Sequence, residues 1–99
     1  MESEKTLSFI SDRKHYDIPI SDILYVFMKK HDAYVHISDG SILKTRMTFA
    51  EFEEILGDDF IRIHRGCLVS AMAIHSVGRL ITLSNGDSLE YSAQHRVLR

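Results

Sequence analysis

The chain has 99 residues, 44% of them hydrophobic and 26% charged, which is enough for one folded domain and too little for two independent cores. The net charge of −2 argues against a nucleic-acid-binding protein, but five of the 14 acidic residues lie within residues 51–59. The rest of the chain has 12 basic and 9 acidic residues. The composition therefore allows a basic face on a protein that is acidic overall.

Short segments rich in β-branched and aromatic residues predict a mostly β domain of short antiparallel sheets and hairpins. In chain order these segments are residues 6–10, 25–28, 34–37, 60–63, 80–83 and 89–91. Asp39-Gly40 and Asn85-Gly86 suit two-residue hairpin loops, because both dipeptides accept positive φ. The loops pair residues 34–37 with 42–45 and residues 80–83 with 88–91. A weaker signal around Gly78 pairs residues 74–77 with 80–83.

One short α-helix near residues 48–56 is predicted from its start and stop signals. Thr48 and Glu51 form a capping box, and Met47 and Phe52 occupy the two positions of a hydrophobic staple. Gly57 supplies a left-handed stop. We interpret the acidic residues of this segment as a solvated helix face, turned away from any phosphate backbone.

The sequence holds no signature of an enzyme, a metal site or a secreted protein. It has no phosphate-cradling Gly-rich loop, no G-x-S-x-G and no H-E-x-x-H, and its six histidines show no metal-ligand spacing. We therefore expect neither catalysis nor a cofactor. Cys67 precedes Leu68 and Val69 and is predicted to be a buried thiol. A single cysteine, an acidic start and short apolar runs predict a cytoplasmic protein without membrane contact.

Three polar, basic clusters interrupt or follow the predicted strands. They are Lys29-Lys30-His31-Asp32, Arg62-Ile63-His64-Arg65-Gly66 and Gln94-His95-Arg96. A solvated strand face would by itself explain the second cluster. Three loop-borne clusters of Lys, Arg, His and Gln together favour contacts to phosphates and base edges.

The order of these motifs resembles the LytTR family of bacterial DNA-binding domains, which occur mainly at the C-termini of response regulators. The most specific piece is Phe60-Ile61-Arg62-Ile63-His64-Arg65 followed by Leu68-Val69, directly after a capped acidic helix. The other matching segments are residues 20–26, 34–37, 48–56, 83–86 and 91–92. The resemblance covers about residues 5–99.

The resemblance implies a β-rich fold that inserts loops into successive major grooves of double-stranded DNA and binds paired direct repeats with a second copy of itself. By position, the base-reading loops fall at residues 29–32 and at His64-Arg65, with a third contact region at residues 92–96. The sequence departs from the residues common in this family at two places. Gly66 and Ser70 replace a common Ser and Asn, and Ala93 replaces a common Arg, so the third contact would come from Gln94, His95 or Arg96.

The favoured function is sequence-specific binding of double-stranded DNA by a bacterial transcriptional regulator. Arg65 is predicted to read guanine O6 and N7, with Lys30, His31 and His64 as further groove contacts. The predicted phosphate contacts are Lys29, Lys44, Arg46, Arg62 and Arg96. The alternative is a protein-interaction module that docks a partner through the acidic helix 48–56.

Residues 1–99 are interpreted as a single domain. No receiver aspartate motif precedes it, which fits either a stand-alone regulator or an excised C-terminal domain. An upstream receiver domain or a sensor kinase therefore stays open as a further partner.

Overall fold

The structure is a computed structural model that describes residues 5–90. The described part of the chain forms ten strands and one α-helix, which confirms the mostly β prediction. The elements are β1 (Thr6–Ser11), β2 (Lys14–Pro19), β3 (Ile23–Lys29), β4 (Asp32–Ile37), β5 (Ile42–Thr45), α1 (Phe49–Leu56), β6 (Phe60–His64), β7 (Cys67–Ser70), β8 (Ile74–Val77), β9 (Ile81–Leu83) and β10 (Ser88–Leu89).

A five-stranded antiparallel sheet in the order β5-β4-β3-β7-β6 forms the centre of the domain. On β3, Val26 pairs with Val35 of β4 on one side and with Leu68 of β7 on the other. The strands β1 and β2 form a separate hairpin, and a three-stranded sheet has the order β10-β9-β8. The pairing of β3 with β7 joins segments that lie about forty residues apart, and no local turn signal predicts it.

Two hydrophobic cores lie against the two faces of the central sheet. The first includes Leu7 of β1 and Phe52 of α1, both completely buried. The second includes Ile81 of the three-stranded sheet. Strand β7 contributes to both cores, Leu68 to the first and Val69 to the second, because neighbouring side chains of a strand point to opposite faces.

Both predicted hairpins are present, although the last strand covers only Ser88–Leu89 of the predicted 88–91 and residue 91 lies outside the described residues. The prediction of two-residue loops was wrong. Ile37 N–H donates to the Ser41 carbonyl (2.9 Å), and Gly40 N–H donates back to the Ile37 carbonyl (2.9 Å). The loop therefore has three residues, and only Gly40 at its third position takes positive φ (+96°). Residues 83–87 repeat this pattern with Gly86 at φ +99°. This is a turn followed by a left-handed residue, the common three-residue hairpin loop.

The hairpin of β1 and β2 was not predicted, because its turn contains no glycine. Ser11 pairs with Lys14, and the two residues between them, Asp12 and Arg13, have φ of 52° and 68°. Positive φ at both central positions is typical of a primed hairpin turn, for which Asn-Gly or Asp-Gly is the usual signal. Here ordinary side chains adopt it, so the sequence carries little sign of the turn.

Helix α1 begins and ends as predicted. Glu51 N–H donates to Thr48 Oγ1 (3.2 Å), and Thr48 N–H donates to Glu51 Oε1 (2.8 Å), which completes the capping box. Gly57 at the C-cap has φ +68°. Within residues 5–90 no helix is long and apolar enough to cross a membrane.

Candidate nucleic-acid interface

One end of the central sheet gathers the basic residues that the sequence singled out. Strands β3, β5 and β6 finish at this end, and β4 and β7 begin there, since all neighbouring pairs are antiparallel. We call it the cationic end and define it by eight residues: Lys29, Lys30, His31, Lys44, Arg46, Arg62, His64 and Arg65. The remaining predicted contacts, Gln94, His95 and Arg96, lie outside the described residues.

The two predicted base-reading loops lie side by side at the cationic end. Met28 N–H, just before the first loop, donates to the carbonyl of Gly66 in the second loop at 2.7 Å. A Cβ on residue 66 would lie 3.4 Å from the Met28 carbonyl oxygen, so the two backbones approach closely. The pairing of β3 with β7 therefore fixes the two loops relative to each other.

The first loop consists of Lys30 and His31, because Lys29 and Asp32 already pair as the last residues of β3 and the first of β4. Both loop side chains are exposed. Lys30 has φ 59°, a left-handed conformation that costs a residue with a Cβ about 1–2 kcal/mol. Positive φ is common in two-residue hairpin loops, and the turn at Asp12 and Arg13 shows it as well.

The second loop is the turn at Arg65 and Gly66 between β6 and β7. Gly66 N–H donates to His64 Nδ1 at 3.2 Å. Since Nδ1 accepts a hydrogen bond, the neutral ring carries its proton on Nε2 and presents a donor there. Arg65 itself is exposed. Two donor side chains thus meet at this turn, and guanine O6 and N7 are acceptors.

Arg62 differs from its neighbours, because its guanidinium is held by groups of the protein. Nη2 donates to the carbonyl oxygen of Arg65 at 2.8 Å, and Nη1 lies 3.6 Å from Glu53 Oε2. The guanidinium carbon lies 4.5 Å from the centroid of the Phe49 ring. The interpretation of the acidic residues as a solvated helix face therefore needs one addition, because Glu53 pairs with a residue of the second basic cluster.

Arg46 and Lys44 form the outer part of the cationic end. Arg46 follows β5, and its side chain is 85% exposed with Nε 3.5 Å from Asp32 Oδ1. Both basic residues line an open cleft of about 720 Å³ between the β1–β2 hairpin and β5. Glu51 and Asp12 also line it, so the charge of the cleft is mixed.

Comparison with known proteins places this geometry in a family. A family model described as the LytTr DNA-binding domain matches residues 13–97. The chain belongs to the LytTR family. A solved structure with the same fold is the LytTr DNA-binding domain of a protein described as a methyl-accepting/DNA response regulator from Bacillus cereus. It is 22% identical, the match covers 94% of this chain and 91% of that one, and the TM-score is 0.82. No match was found among curated proteins.

This LytTR domain also contains a partly buried polar cluster that sequence reasoning missed. The rings of Tyr25 and His36 stack with centroids 4.0 Å apart, and the Tyr25 hydroxyl donates to Asp87 Oδ2 at 3.3 Å. Burial, reinforced by the Asp87 carboxylate, raises the pKa of Tyr25 to about 12. Burial lowers the pKa of His36, and Asp87 opposes that shift only in part. The cluster joins the central sheet to the loop between β9 and β10.

Metal ligation and thiol chemistry have no candidate in the described part of the LytTR domain. Across residues 5–90 no three His, Cys, Asp or Glu side chains lie close enough together to hold a metal ion. Cys67 is buried as predicted, and burial raises the pKa of its thiol to about 12. A thiol with that pKa is a poor nucleophile at neutral pH.

Proposed function

We propose that this chain is a sequence-specific double-stranded DNA-binding domain of a bacterial transcriptional regulator, working in the cytoplasm. The observation that supports this most directly is the convergence of two donor-bearing loops at the cationic end, joined by the 2.7 Å hydrogen bond between Met28 and Gly66. Rigidly presented loops lose little conformational entropy when they bind, which favours recognition of a fixed sequence. The LytTR family match supports the same function.

Within this proposal the loop tips read bases and the strand ends hold phosphates. Arg65 is the guanine reader, and His64, Lys30 and His31 supply further groove contacts. Lys29, Lys44 and Arg46 are exposed cations that hold the register through phosphates. Gln94, His95 and Arg96 remain predicted contacts of a third region.

Binding to paired direct repeats by two copies is the second part of the proposal. The two copies would meet on DNA, each bound to one repeat. A copy bound to one repeat would then raise the effective concentration of the second copy at the other repeat. We expect the free domain to sediment as a monomer at micromolar concentration and to form a two-copy complex only on a duplex with two repeats. A tight dimer in the absence of DNA would contradict this. A receiver domain or a sensor kinase is the proposed source of the regulatory signal.

Selection of bound sequences from a random duplex library tests the main proposal. We expect enrichment of one short motif, and binding to it that weakens steeply as salt rises. Lys5→Ala is a suitable control, because Lys5 is exposed and precedes β1, at the end of the hairpin away from its turn. Arg65→Ala should weaken the enrichment and relax the preference for guanine at one position of the motif, whereas Lys5→Ala should leave the motif unchanged.

The same experiment decides between DNA binding and docking of a protein through the acidic helix. Two of the helix carboxylates are already used inside the domain, Glu51 in the capping box and Glu53 beside Arg62. These contacts reduce the charge that the helix offers to a partner. Absence of any enriched duplex, together with no retention on random duplex at low salt, would refute the DNA-binding proposal and favour docking.

A further inference from the structure

The Arg62 guanidinium joins helix α1 to the turn that carries Arg65. Phe49 and Glu53 are four residues apart and therefore lie on one face of the helix. The guanidinium carbon lies 4.5 Å from the centre of the Phe49 ring, and Nη1 lies 3.6 Å from Glu53 Oε2. On its other side, Nη2 donates to the Arg65 carbonyl at 2.8 Å. A single side chain thus connects two elements.

The surroundings of Arg62 suit an internal contact better than a phosphate contact. Its Nε is buried and has no hydrogen-bond partner among the residues that the structure describes. The side chain is 37% exposed, whereas that of Arg46 is 85% exposed. A phosphate would have to displace Glu53 from Nη1, while Nη2 stayed on the Arg65 carbonyl. A planar guanidinium is suited to such simultaneous contacts, and an ammonium is not.

We propose that Arg62 is a positioning residue, which holds the turn at Arg65 and Gly66 against α1 so that the Arg65 side chain is presented in one orientation. This inference rests on the proposed DNA-binding function. Its physical basis is pre-organisation: a turn that is already ordered pays less entropy when it meets the base edges. Glu53 contributes indirectly, because its carboxylate pairs with Nη1 and so helps to orient the Arg62 guanidinium.

The decisive variant is Glu53→Gln, compared with Glu54→Gln on the same helix. Both substitutions remove one negative charge, but Glu54 forms no ion pair with any residue in the described range. Binding isotherms are recorded on the duplex selected by the wild type and on its scrambled version. We expect Glu53→Gln to weaken binding to the selected duplex about fivefold and to leave the scrambled duplex unchanged. We expect Glu54→Gln to change neither by more than about twofold.

A phosphate contact at Arg62 predicts the opposite result. Loss of Glu53 would then free the guanidinium, and Glu53→Gln would bind both duplexes more tightly, with a steeper dependence on salt. Equal effects of Glu53→Gln and Glu54→Gln would likewise overturn the proposal, because the helix charge alone would then explain both.

A measurement without DNA keeps this inference separate from the proposed function. Gly66 N–H donates to His64 Nδ1, so its hydrogen exchange reports the order of the turn. In Arg62→Lys we expect this amide to exchange roughly tenfold faster, with exchange in the strand β4 unchanged. Unaltered exchange at Gly66 would overturn the positioning role. If the wild type selects no duplex, the DNA-binding proposal fails, and the exchange measurement still decides the role of Arg62.

Discussion

Replacing Arg65 and Arg46 by alanine, one at a time, separates base reading from phosphate binding at the cationic end. Arg65 is exposed and forms no ion pair within the described residues, so Arg65→Ala should change the free energy of unfolding by less than about 0.5 kcal/mol. A bidentate contact to guanine discriminates by about 1–3 kcal/mol. Arg65→Ala should therefore weaken binding to the selected duplex by about 5- to 150-fold and affect a scrambled duplex much less.

Arg46 is expected to behave differently, because it already has an acidic neighbour. Two unit charges 3.5 Å apart, the distance from Arg46 Nε to Asp32, attract by only about 1 kcal/mol in water, and salt reduces this further. A DNA phosphate can therefore displace Asp32 at little cost. Arg46→Ala should weaken both duplexes about equally and lower the salt slope by about one unit.

The assay is a set of binding isotherms for the wild type and both variants, on selected and scrambled duplex, at several salt concentrations. Urea unfolding of each variant checks that the fold is unchanged. Equal losses for Arg65→Ala on both duplexes would refute its role in base reading and make it a phosphate contact. Lys30 and His31 would then be the leading base readers.

Three predictions concern the fold and its dependence on pH. Thr48→Ala removes the helix cap and should lower the free energy of unfolding by about 1 kcal/mol in urea. Gly86→Ala should cost about 1–2 kcal/mol, because φ of +99° disfavours a Cβ even though none of the neighbouring atoms lies within 4 Å of it. Gly78→Ala is the matched control, because a Cβ at residue 78 would be equally open and the φ of Gly78 is not positive. The free energy of unfolding of this variant should stay within about 0.5 kcal/mol of the wild type. The pKa of His36 is lower in the folded chain than in the unfolded chain, where it is about 6.5. As the pH drops below about 6.5 the unfolded chain therefore binds a proton more readily than the folded one, and the free energy of unfolding decreases. His36→Phe keeps a ring against Tyr25 and should flatten this fall in urea titrations between about pH 5 and pH 7; an unchanged fall would contradict the assignment to His36.

The parts of the fold that the sequence predicts are those with local signals. The capping box at Thr48 and Glu51 predicts α1 to within one residue, because both partners lie within a single turn of chain. Gly40 and Gly86 predict the hairpins that they close, although the loops proved one residue longer than expected. The turn at Asp12 and Arg13 gave no such signal, because it contains no glycine although both of its central residues take positive φ.

The residues of the candidate site were chosen by residue type, but the sequence did not predict how the fold brings them together. The eight residues of the cationic end come from three separate segments of the sequence, residues 29–31, 44–46 and 62–65. The pairing of Phe27 with Cys67, a long-range contact, brings the two loops together, and the pairing of β4 with β5 adds Lys44 and Arg46. The contacts of Arg62 were missed for the same reason. A hint was present in the spacing of Phe49 and Glu53, which places an aromatic ring and a carboxylate on one helix face beside the following strand.

The hydrogen-bonded sheet beneath the cationic end also fixes the distance between the two loops. Neighbouring strands are about 4.8 Å apart, and the loop joining β3 to β4 is centred two such spacings from the loop joining β7 to β6, or about 10 Å. That distance spans about three base-pair steps and is far shorter than one turn of B-DNA, about 34 Å. If both loops read bases as proposed, moving the two contacted positions apart in an operator would leave one loop without its base, because backbone hydrogen bonds prevent the strands from spreading. In the proposed complex, a second major groove, one turn away, would have to be reached from another part of the chain or by a copy bound to a neighbouring repeat.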